Sequence, residues 1–125
     1  VWIRRISAAA GAAALAAAPF GLEALRRRSD RRRYPPNGIF VEVNGRKMHV
    51  YSEGKGQRTL VFLPGLGTPS PVLDFSPVVS RLRAQIQCVV PEPFGYGYSD
   101  CTCAPRTTAV IVEEIRAGLS SAGAS

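Results

Sequence analysis

The sequence predicts an α/β domain: an antiparallel hairpin, then strand–helix–strand–helix, with an apolar helix ahead of it. Three observations carry that prediction. Two short runs, TLVFL at 59–63 and IQCVVP at 86–91, are apolar on both faces, as buried parallel strands are. An amphipathic stretch lies between them, which makes a strand–helix–strand unit with a right-handed crossover. Upstream, two alternating segments flank Asn44-Gly45, the dipeptide best suited to a two-residue hairpin because both positions accept positive φ.

The chain has 125 residues, enough for one domain. Its charge is uneven. Residues 1–33 carry eight arginines against Glu23 and Asp30, a net of +6, while residues 34–125 carry a net of only +1. The basic character belongs to the N-terminal segment, and the near-neutral remainder offers no basic face for nucleic acid. The reading is therefore of two parts, 1–33 and 34–125.

Residues 6–22, ISAAAGAAALAAAPFGL, hold no charge and stand between Arg4-Arg5 and the run RRRSDRRR. A spanning helix needs about 20 apolar residues. The leading reading is a single-pass membrane anchor that touches lipid through residues 1–33. The arginines at 26–33 outweigh Arg4 and Arg5, which places the remainder on the cytoplasmic side. The alternatives are a cleaved or twin-arginine export signal, with Ala16-Ala17-Ala18 as the cleavage site, and an alanine-rich helix lying on a surface. Pro19 and Ser7 fit the export readings poorly.

YPPNG at 34–38 is a stiff extended spacer. In IFVEV, Ile39, Val41 and Val43 share a face; in the return strand, residues 46–53, Met48 and Val50 share one and His49 points away from it beside Tyr51. His49 reads as an exposed strand histidine, since no motif sets a nucleophile near it. After TLVFL comes the loop PGLG, then LDFSPVVSRL, a helix with Ser76 as N-cap and Pro77 as first residue. After IQCVVP comes EPFGYGYSD, then a second helix from TTAVIVEEIRAGLSSAG. Thr107 or Thr108 caps it and Gly123 stops it. Ile111, Ile115 and Leu119 make its apolar stripe, with Glu113, Glu114 and Arg116 outward.

Cys88 lies in an apolar run and reads as core, while Cys101 and Cys103 read as free thiols in a polar loop. A metal site needs about four ligands at workable spacing, and His49 is the only histidine, so neither a metal site nor a cofactor is expected.

Two glycine-bearing loops, PGLG at 64–67 and EPFGYGYSD at 92–100, follow the two apolar strands. Ligands of open α/β sheets bind at that end of the strands. The order and placement of these loops resemble the N-terminal half of an α/β-hydrolase. In that family the first strand ends in His-Gly-x-Gly and the second in Asp-x-x-Gly-x-Gly-x-Ser. Here Gly95, Gly97 and Ser99 fit the second pattern, while Pro64 stands in place of the usual histidine and Glu92 in place of the usual aspartate. The resemblance covers about residues 38–123.

The resemblance implies that a backbone N–H of the first loop, at Leu66, helps bind an oxyanion, with Gly65 and Gly67 leaving room for substrate. The loop around Glu92, Gly95, Gly97 and Ser99 would brace the site without a catalytic step. The family's nucleophile elbow, Gly-x-Ser-x-Gly, has no match, and no histidine follows Ser99. The expectation is a partial hydrolase domain, inactive as this chain alone. Its parent would be an esterase-like serine hydrolase acting on a small molecule. The alternative is a non-catalytic product or a membrane-tethered interaction module. An interior strand left at the edge of a partial sheet would also invite aggregation.

Overall fold

The computed structural model describes residues 21–23, 25, 26 and 28–124. The chain divides after Pro36 into two units, and the second, Asn37–Ser125, is the α/β unit. Where described, residues 21–33 are helical, and the Tyr34 N–H donates to the Asp30 carbonyl at 2.8 Å at the helix end. The predicted anchor at 6–22 lies outside the described residues but for its last two. Among the described residues, no helix is long and apolar enough to cross a membrane.

The α/β unit runs β1 (Ile39–Val43), β2 (Arg46–Glu53), β3 (Thr59–Val61), α1 (Pro71–Leu82), β4 (Gln87–Pro91) and α2 (Thr108–Ser121). The sheet order is β1-β2-β4-β3. β1 and β2 form the predicted antiparallel hairpin, with Val41 opposite Met48, and Asn44 and Gly45 take φ of 53° and 72°. β2 meets β4 antiparallel, and β3 meets β4 parallel, as the strand–helix–strand pattern requires.

Of the two apolar strands, β4 is central and buried almost throughout. β3 is the edge strand, shorter than TLVFL predicted, and its Leu60 is exposed. Phe62 continues the pairing by one bond to the Val89 carbonyl. Strand alternation sends Cys88 and Val90 toward α1, where they pack with Val79, Phe75 and Phe62. Val89 points the other way, joining Val41, Val43, Met48, Val50 and Phe94. Leu119 of α2 and its C-cap Ala122 close that second cluster. The result is a sheet with one helix on each face. Burial pushes the Cys88 thiol above its ordinary pKa, as its core placement predicts.

The first helix begins earlier than predicted. Its N-cap is Ser70 and its first residue Pro71, the same Ser-Pro signature as Ser76-Pro77 but earlier in the chain. Pro77 sits inside the helix and has no N–H for the Leu73 carbonyl. The Ser76 hydroxyl donates to that carbonyl instead, at 2.9 Å, so the serine serves as a repair rather than as a cap.

The second helix is capped as predicted. Thr107 Oγ1 accepts from the Val110 N–H at 3.4 Å, and Gly123, at φ 72°, ends it while the Ala124 N–H returns to the Leu119 carbonyl. Its orientation differs from the prediction. α2 lies chiefly over β1 and β2, so its sheet-facing positions are Glu114 and Gly118. A Cβ on Gly118 would come within 2.5 Å of Met48 Sδ, so glycine sets how closely the helix approaches. Leu119 packs against the sheet cluster beside that seam, while Ile111 and Ile115 line an open cleft with Leu63 and Val112. Glu114, predicted outward, is buried and ion-paired with Arg106. Helical spacing locates an apolar stripe, but it does not tell which of two adjacent faces meets the sheet.

At the far end of β2, Tyr51 donates its hydroxyl proton to Glu53, which also holds Arg83 Nη1 at 2.5 Å. Burial, then this bond to Glu53, pushes the Tyr51 pKa up to about 12. The Tyr51 bond and then Arg83 hold the Glu53 carboxyl below its ordinary value. The protonated phenol is thus favoured by the fold. Its contribution is complete below the unfolded tyrosine value of about 10 and is lost as pH rises toward 12. In an ultraviolet absorbance titration, one tyrosine of four is expected to ionise about two units late. Tyr51→Phe should remove that late step.

Candidate functional site

Both glycine loops leave the carboxyl ends of the parallel strands, β3 and β4, as predicted. The 64–67 loop is open. Leu66 is 102% exposed, and nothing lies near a Cβ built on Gly65. Gly67 takes φ 83°, a left-handed turn that favours glycine. Pro64 and Leu66 line one wall of a cleft of about 770 Å³. Phe94, Gly95 and Tyr96 of the second loop contribute to the same cleft. The structure therefore brings the two predicted loops to one place.

The 92–100 loop is held from within. Glu92 is fully buried, and its Oε2 accepts the Tyr98 N–H at 2.7 Å across the loop. The Ser99 hydroxyl donates to the Glu92 carbonyl at 2.5 Å and accepts the His49 N–H at 2.9 Å. Gly97, at φ 50°, lies directly against the Glu92 carboxylate, where a Cβ would overlap it. Gly95 has no such neighbour; its φ of 91° is its only visible demand for glycine. Asp100 Oδ2 accepts the Lys47 N–H at 2.8 Å, which ties the loop's end to β2. Predicted site residues Glu92, Gly97 and Ser99 thus form one braced turn, and Gly95 sits on its cleft side.

His49 departs from the prediction of an exposed strand histidine. It is 1% exposed, between Phe40 and Tyr98, at ring distances of 5.3 and 5.4 Å. Its Nε2 accepts the Gly38 N–H at 3.1 Å, so the ring proton sits on Nδ1, which donates to Glu92 Oε2 at 3.0 Å. The face of β2 that carries His49 is covered by the 92–100 loop and by Phe40, a long-range contact that alternation alone does not reveal. Its ring partners are structural: one backbone N–H and one carboxylate, with no serine or cysteine nucleophile on either ring nitrogen.

One further residue, Arg106, belongs to this cleft without a sequence motif that points to it. Its Nη1 contacts Glu114 Oε2 at 2.6 Å. The local signal was a charged residue directly before a helix cap, and it gave no hint of which carboxylate it meets. Cys101 and Cys103 are free and exposed, as predicted, and Cys101 borders the cleft. Among the described residues, no group of three or more His, Cys, Asp or Glu side chains is arranged to hold a metal ion.

No protein-family model matches the chain. It is 34% identical over 86 residues to the uncharacterised protein YbdG of Bacillus subtilis, a match covering 69% of this chain and 26% of that protein. Over 61 residues it is 36% identical to cis-3-alkyl-4-alkyloxetan-2-one decarboxylase of Shewanella oneidensis, covering 49% of this chain and 18% of the relative. The chain thus spans about a quarter of the first relative and less than a fifth of the second.

Solved structures extend the likeness. An epoxide hydrolase from Vigna radiata superposes with a TM-score of 0.57 at 27% identity, over 68% of this chain and 28% of the other. A meta-cleavage product hydrolase from Pseudomonas fluorescens IP01 gives a TM-score of 0.62 at 17% identity, over 70% of this chain and 33% of the other. With this likeness over about 70% of its length, and with its hairpin, parallel pair and a helix on each face of the sheet, the chain carries part of the α/β-hydrolase fold.

Proposed function

We propose that this chain is the oxyanion-binding part of a membrane-tethered serine hydrolase of esterase type, acting on a small acyl substrate. The observation that carries the reading is the 64–67 loop. It leaves β3 at the ligand-binding end of the sheet and opens onto the cleft with neither a packed side chain at Leu66 nor a neighbour near Gly65. Backbone donors aimed at developing negative charge lower an acyl-transfer barrier, and a loop of glycines lets substrate approach them. The braced 92–100 loop lines the same cleft and stays out of the chemistry.

The test is turnover of a panel of short and medium-chain esters by the protein expressed from its full reading frame. Leu66→Pro and Leu66→Ala are compared side by side. Ester hydrolysis that is indifferent to removal of the Leu66 N–H would overturn the oxyanion assignment.

The tether is proposed from residues 1–33: an uncharged stretch between arginines, with the larger basic cluster on its C-terminal side. That asymmetry orients the α/β unit toward the cytoplasm. The arginines add attraction to anionic lipid, about 1 kcal/mol for each one near the surface. Co-sedimentation with phosphatidylserine-containing vesicles is expected for the whole chain and is lost on deletion of residues 1–33. Binding that survives the deletion would place the membrane contact elsewhere.

A further inference from the structure

We infer that Arg106 makes the cleft selective for a ligand carrying a carboxylate at the end of an apolar chain. The inference rests on the hydrolase reading of the same cleft and names its substrate class: esters or lactones whose acyl chain ends in a carboxylate. Arg106 is the only charged side chain among the described residues lining the cleft. Leu63, Phe94, Ile111, Val112 and Ile115 make most of the remaining surface apolar. Among the described residues, no carboxylate lines it.

The polar side chains that accompany Arg106 are hydroxyls and one thiol, each with a proton to donate. Thr102 and Thr108 border the cleft beside it. Thr102 Oγ1 already accepts the Ala104 N–H at 3.1 Å, which leaves its O–H proton to give. A cleft with hydroxyl and guanidinium donors and no acidic lining favours an anionic acceptor over a cation or a donor-rich neutral group.

The guanidinium is also pre-placed. Its Nη1 contacts Glu114 Oε2 at 2.6 Å, and Glu114 is 5% exposed against 31% for Arg106. The balancing carboxylate therefore lies behind the guanidinium, in the seam between α2 and the sheet, and the open side faces the cleft. Arginine has five N–H donors in a rigid fork, so one edge docked on Glu114 leaves another for a ligand. A side chain held this way loses little further freedom when it binds, and selectivity gains from that preorganisation. Glu114 tempers the positive charge, so the expected discrimination is moderate rather than absolute.

Removal of Arg106 alone would strand the buried Glu114 carboxylate, so the test uses Arg106→Gln with Glu114→Gln, which keeps an amide pair in the same space. Octanoate and octanol are titrated into the full-length protein by calorimetry, without reliance on turnover. Wild type is expected to bind octanoate at least tenfold more tightly than octanol. The double variant should bind octanoate about tenfold more weakly, with octanol unchanged and the thermal transition retained. Equal affinities for the two probes in wild type, or a parallel loss of both in the variant, would overturn the assignment. In kinetics, the variant should lose about tenfold in kcat/KM for a dicarboxylic half-ester and nothing for the neutral diester. If Leu66→Pro leaves turnover intact while octanoate binding still depends on Arg106, the oxyanion reading falls and the anion site stands.

Discussion

Leu66→Pro is expected to lower the acylation rate of the proposed hydrolase by about two to three orders of magnitude, whereas Leu66→Ala should cost much less. The pair separates backbone from side chain. The Leu66 side chain is wholly exposed, so alanine removes almost nothing that is packed. Proline also removes little packing, but it deletes the N–H that the hydrolase reading aims at the substrate oxygen. Proline additionally fixes φ near −65° and restricts Gly65 before it, so loop geometry needs its own control. An unchanged thermal transition and unchanged binding of a ground-state ester analogue would show that the loop survives. The loss should then appear in the burst rate of acylation, because an oxyanion donor acts on the transition state more than on the bound ester. Equal losses from proline and alanine would mean that the side chain matters and the backbone donor does not.

The strands and their pairing were legible because they depend on short-range pattern. Alternation placed Met48 and Val50 on one face, Asn44-Gly45 set the hairpin, and the two apolar runs made the parallel pair. The helix features that were misread depend on packing. Both Ser70-Pro71 and Ser76-Pro77 carry the signature of a helix start, and only the path of the chain decides which is used. Glu113 and Glu114 are adjacent acidic residues on one helix, yet 114 faces the sheet because α2 sits over the hairpin, where Arg106 can meet it.

His49 is the most instructive case. Its burial depends on Glu92, 43 residues away, and on a loop folded back over β2. No local window contains both partners. The family pattern did contain a trace of it, because the acidic position at the head of the glycine loop needs a reason to be acidic. That reason is the Tyr98 N–H on one side and the His49 ring on the other.

The same network gives the largest expected effect on stability, at Gly97. Alanine there is expected to destabilise the fold by about 3–5 kcal/mol, the sum of backbone strain and of hydrogen bonds lost from a buried carboxylate. The positive φ of 50° alone would cost an alanine roughly 1–2 kcal/mol. The larger share comes from Glu92. A Cβ at 97 would occupy the space of its carboxylate, which cannot move aside without releasing both the Tyr98 N–H and His49 Nδ1. Glu92 is completely buried, so water cannot replace those partners in place. Gly95→Ala is the matched control in the same loop. It also has positive φ, at 91°, but meets no atom, so only backbone strain of about 1–3 kcal/mol is expected. Glu92→Ala removes the obstructing carboxylate, so combining it with Gly97→Ala should cost clearly less than the two single changes added together. Chemical denaturation of the four variants measures this. A Gly97→Ala loss no larger than that of Gly95→Ala, with strict additivity toward Glu92→Ala, would show that the carboxylate does not dictate glycine at this turn.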